Sequence, residues 1–223
     1  MIPISESDEE LFAALFAAAR FGRSGPIIER LRVRYDEEWA DPLSGFPYAM
    51  AMFAVLMSGR EDLRDHLSYT EIIETLSDLL YSVPDHWLGR YVRVHTRTLL
   101  PDSGEHAHYI AAERKRAAQD VAELIDRQSR TAWQPWFACS YLQAARLAAI
   151  AGEPGEAAGL VRAAADQPGA PISFPSLGSI LRFAFIAYRD QPELPEQALV
   201  GELMGTLFPG HPALRRVRAG QQA

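Results

Sequence analysis

Apolar residues recur along this chain at three- and four-residue spacing, in runs cut by proline and glycine. That periodicity is the signature of amphipathic helices. Leu11, Phe12, Leu15, Phe16 and Ala19 form the first stripe, with Ser7 and Glu10 placed as a capping box at its start. Gly22 and Gly25 break the run, and Pro26 suits the first turn of a second helix carrying Ile27, Leu31, Tyr35 and Trp39. The short connection makes these two an antiparallel pair. Phe46 to Met57 is apolar nearly all round, which predicts a short helix buried between neighbours. Ser68 and Glu71 repeat the capping pattern ahead of Ile72, Ile73, Leu76, Leu79 and Leu80, the cleanest stripe in the chain. The next helix is expected from Pro84 to Leu99, with Trp87, Tyr91, Val94 and Thr98 on one face.

Pro101-Asp102-Ser103-Gly104 is the clearest interior punctuation and a candidate boundary between two halves. A longer helix follows from Glu105 to Arg127, its outer side dense in charge around Glu113-Arg114-Lys115-Arg116. The stretch from Trp133 to Pro168 then predicts two apolar-faced helices, Gly152 ending the first and Pro154 starting the second. Pro135 sets the start of the first near Trp133 or kinks it there. Leu177 to Tyr188 and Glu196 to Phe208 give two further helical patterns, and 209–223 reads as a flexible C-terminal tail. The expected fold is all-α, a single domain over 1–208 with a subdivision near 101–104. Antiparallel helix pairs would form it, either as an irregular array or as an orthogonal bundle.

Tyr141, Ala144, Ala145, Ala148, Gly152, Ala157, Val161 and Ala164 lie at spacings that bring small residues to a tight helix crossing. From Tyr141 to Pro168 this pattern resembles one tetratricopeptide-type repeat, a unit of about 34 residues. Tyr141 stands where the family prefers tryptophan, Ala145 where it prefers glycine, and Pro168 comes slightly early. The resemblance implies a superhelical scaffold whose concave surface grips a peptide or another protein.

Composition narrows the function classes. Hydrophobic residues make up 48% of the 223 and charged residues 23%, as in an ordinary globular protein. A net charge of -7 argues against nucleic acid or an anionic membrane as partner. No apolar run approaches the roughly 20 residues of a membrane helix, and the acidic opening lacks a signal-peptide pattern, so a cytoplasmic location is expected. Cys139 is the only cysteine, and its apolar surroundings suit a buried structural thiol.

Arg90, Arg93 and Arg97 share one side of their helix, where guanidiniums either bind an acidic partner or pair with acids on adjacent helices. Trp133, Phe137 and Tyr141 are successive four-residue neighbours, suited to a groove or to a core. Arg90, Arg93, Arg97, Trp133 and Phe137 are therefore the candidate partner-binding residues. His86, His95, His106, His108 and Glu113 motivate an alternative, a small-molecule-binding helical enzyme with a cavity between the two halves, either metal-dependent or metal-free, but neither HExxH nor a Glu-x-x-His pair is present. The acidic run Asp36-Glu37-Glu38 reads as a solvent-facing segment. No phosphate loop, nucleophile elbow or dinucleotide fingerprint occurs, so no catalytic residue, metal or cofactor is assigned. The leading expectation is a non-catalytic interaction or accessory scaffold with a peptide or protein partner, small-molecule sensing and homo-oligomerisation being left open.

Overall fold

The computed structural model describes residues 6–38, 40–58, 68–100, 106–128 and 137–165. Every regular element among them is a helix: α1 (Glu6–Arg20), α2 (Gly25–Glu37), α3 (Gly45–Ser58), α4 (Tyr69–Ser82), α5 (Trp87–Thr98), α6 (Ala107–Arg127), α7 (Phe137–Ile150) and α8 (Pro154–Ala165). The all-α expectation is met. By its contacts the chain divides into two compact units, Met1–Asp120 and Val121–Ala223, so the division falls inside α6 rather than at 101–104.

In the first unit α3 is the central element. It is buried from Gly45 to Val55 save for the half-buried Pro47, and it packs against α1, α2, α4 and α5. A helix apolar all round has no face to give to water, and each neighbour covers part of it. Phe12 and Leu15 of α1, Ile72, Leu76 and Leu79 of α4, and Trp87, Tyr91 and Val94 of α5 complete the core. A Cβ on Gly45 would lie 2.9 Å from Thr75 Cγ2 and 3.0 Å from Tyr35 Cε2, so the glycine permits close packing of α3 against α2 and α4.

The helix ends obey local rules. Ser68 caps α4 by accepting from the Glu71 amide at 3.2 Å, as its sequence predicts. Ser7 lies within α1 and is not its cap. Gly22 (φ 70°) and Gly152 (φ 78°) close α1 and α7 in the left-handed conformation. In each case the following amide, Arg23 or Glu153, reaches back to Ala18 or Ala148 at 2.8 or 2.9 Å.

His86 supplies a cap that the sequence did not announce. Its Nδ1 accepts from the Gly89 amide at 3.0 Å while its ring packs 4.5 Å from Phe46. Burial lowers the imidazole pKa, partly offset by the Asp8 carboxylate. The folded protein thus binds this proton less readily than the unfolded chain. Stability is full above the unfolded value of about 6.5 and falls as pH drops through the lower folded value. Urea midpoints from pH 7.5 to 5 should decline more steeply for the wild type than for His86→Asn, which caps without titrating. Parallel curves would refute this account.

In the second unit α7 and α8 form the hairpin expected from the alanine spacing, with Ala145, Ala148, Ala157, Val161 and Ala164 buried. Cys139 is fully buried, and burial alone pushes its thiol pKa up. Gln143, also without exposed surface, has neither Oε1 nor Nε2 hydrogen-bonded among the described residues. An unsatisfied buried amide is costly, so Gln143→Met is expected to raise stability by about 1–3 kcal/mol in urea unfolding. A lower urea midpoint would show that the amide is satisfied after all. Trp133, Pro135 and Trp136, the helices expected over 177–188 and 196–208, and the 209–223 tail lie outside the described residues.

Candidate functional site

The arginines of α5 do converge, on acids of α6. Positions 90, 93 and 97 fall on one helix face, and Glu113 and Asp120, seven apart, fall on one face of α6. Asp120 Oδ1 accepts from Arg90 Nη1 at 3.0 Å and Arg93 Nη2 at 2.7 Å. Its Oδ2 accepts from Arg93 Nε at 2.9 Å and Arg97 Nη1 at 2.5 Å. Four such bonds fill the lone-pair sites of a carboxylate. Arg97 Nε donates to Glu113 Oε2 at 2.7 Å, and Arg116 binds the other Glu113 oxygen. Arg93 also reaches Ser77 Oγ at 3.1 Å, and Arg90 the Pro84 carbonyl at 2.8 Å.

These groups are largely removed from solvent. Side-chain exposure is 8% for Arg90, 12% for Arg93, 7% for Arg97, 9% for Asp120 and 2% for Glu113. Burial pulls the Arg97 pKa down, and Asp120 and Glu113 oppose that shift. The three guanidiniums hold α6 to α5 and present their N–H groups inward. Phe137 is buried near the start of α7, and Trp133 is outside the described residues.

The histidines do not assemble. His86 caps α5, His95 packs between Phe53 at 5.1 Å and Tyr91 at 6.3 Å, and His106 and His108 are exposed. Glu113 is engaged by arginine. Among the described residues, no three His, Cys, Asp or Glu side chains are grouped to hold a metal ion.

A different feature of the first unit has the form of a binding site. α2 buries none of its residues: Ile27, Ile28, Leu31 and Tyr35 are half-covered, and Val33 is 44% exposed. Two cavities of about 250 and 260 Å³ open along α2 and α4, and both are lined by Tyr35, Thr75 and Asp78. Tyr35 and Tyr48 stack at 5.9 Å. The Tyr48 hydroxyl donates to Glu71 Oε1 at 2.6 Å. Burial raises the pKa of both phenols, reinforced by Asp78 at Tyr35 and by Glu71 at Tyr48, so both stay protonated.

No family model, curated protein or solved structure matches the chain. The assignment therefore rests on the site itself.

The sequence gives this cleft no distinct signal. Glu71, Glu74 and Asp78 recur at helical spacing on the side of α4 away from its apolar stripe, and Tyr81 extends that row. Such a row is also what any solvated face looks like. Its pairing with α2 across α3 appears only once the helices are packed.

Proposed function

We propose that this chain is a non-catalytic interaction scaffold that recognises a peptide or protein through a helical groove, here the cleft between α2 and α4. The observation that carries the reading is α2, an amphipathic helix with no buried residue beside an open, tyrosine-lined cleft. An apolar stripe left half-covered gains by burial against a partner helix or strand. Tyr81, 92% exposed at the rim, supplies a large aromatic surface of the kind that anchors interfaces. The alanine-lined hairpin of α7 and α8 is in keeping with a helix pair of tetratricopeptide type. A lone, fully buried thiol accords with a cytoplasmic setting.

The test is photo-crosslinking in cells of the source organism, with a benzophenone amino acid at Tyr81 or, as a control, at Tyr109 on α6. A discrete protein adduct from position 81 alone is expected. Its absence, with the protein folded and expressed, overturns the reading.

A further inference from the structure

The carboxylates around the α2–α4 cleft greatly outnumber its cations. Asp36, Asp41, Glu71, Glu74 and Asp78 line the two cavities, and Arg32 is the one basic side chain among the described lining residues. That guanidinium is already held by Glu29 at 2.8 Å on its own helix. Glu71 is engaged by Tyr48, and Asp78 sits beside the Tyr35 hydroxyl. Glu74 and Asp78 carry no arginine or lysine ion pair among the described residues, and Asp36 feels Arg32 electrostatically without an ion-pair contact.

The spread of these acids along two cavities, without a metal-binding cluster among the described residues, matches extended cationic side chains better than a compact ion. Apolar surface runs beside the acids. Tyr35 offers a ring face, Leu43 beside Pro42 is 48% exposed, and Tyr81, 92% exposed, lies at the opening. A lysine or arginine side chain has that dual character, an apolar stem that lies along an aromatic ring and a charged head that seeks carboxylates.

Resting on the scaffold reading above, we propose that the cleft docks a basic, partly apolar segment of a partner protein. Charge complementarity selects the occupant: arginine or lysine side chains enter toward Asp36, Glu74 and Asp78 across the Tyr35 ring, and alternate apolar residues cover Leu43 and Tyr81. The excess of carboxylates over cations also speeds encounter with such a segment, an effect that salt screens.

Fluorescence anisotropy on the full chain tests this with a labelled peptide in which arginine and leucine alternate, and with a second peptide carrying glutamine for each arginine. The arginine peptide should bind, and added salt should weaken it. The double variant Glu74→Gln/Asp78→Asn should reduce affinity about tenfold, the equivalent of two partly exposed charge contacts. Both residues are exposed, so circular dichroism should show an unchanged fold. Glu123→Gln/Asp126→Asn on α6 removes the same charge elsewhere and should leave binding unchanged. Equal loss in both double variants, equal binding of the glutamine peptide, or displacement by an equal concentration of spermidine would each overturn the proposal. A Tyr81 adduct alongside charge-independent peptide binding would sink the basic-partner inference and leave the scaffold reading standing. The absence of any adduct would sink the scaffold reading.

Discussion

Asp120→Ala should destabilise the first unit by about 3–5 kcal/mol, the usual cost of stripping one partner from a buried ion pair. Three guanidiniums converge on this carboxylate, and its removal takes from Arg90 and Arg93 the acid they share, while Arg97 keeps Glu113. Asp120→Asn should be nearly as damaging, because an amide keeps the shape but brings N–H groups toward donors. Arg93→Ala should cost less, since Asp120 then retains Arg90 and Arg97. Chemical denaturation ranks the three, and amide exchange localises the damage. Protection should fall first in 107–120 of α6, while α3 holds until global unfolding. The α5 and α6 backbones make few close approaches, so the long arginine side chains carry much of this attachment. An Asp120→Ala protein within about 0.5 kcal/mol of wild type would reduce the cluster to an ordinary surface network.

That cluster also marks how far the sequence could be followed. Helical spacing alone placed Arg90, Arg93 and Arg97 on one face, and it offered both an outside partner and acids on a neighbouring helix. The matching seven-residue interval from Glu113 to Asp120 was present in the chain. Nothing local states that α6 lies against α5, because such pairing is fixed by tertiary packing. The helices themselves were legible where an apolar stripe met a cap, as in α4, or where apolar residues ran all round, as in α3. The start of α5 was placed too early because Pro84 is a common opener, whereas the cap is the imidazole of His86. The candidate cleft was the least legible feature. Its polar residues are of the types that every exposed face contains, and only their juxtaposition across three helices distinguishes them.

Phe53→Ala should cost about 3–5 kcal/mol, a loss of the same size by a different route. Phe53 is 1% exposed on the most buried helix of the unit, with its ring 6.0 Å from Phe12 of α1 and 5.1 Å from His95 of α5. Truncation removes apolar contacts with both elements at once and leaves a cavity that α3, wedged among four neighbours, cannot close by shifting toward one of them. Val33→Ala on α2 provides the contrast. That side chain is 44% exposed, so its truncation should change stability by no more than about 0.5 kcal/mol. Urea unfolding of both variants tests where the unit keeps its stability. A small effect at Phe53 would mean that the core repacks freely around α3. A large effect at Val33 would mean that the outer face of α2 is already covered within the chain, leaving less apolar surface for a partner.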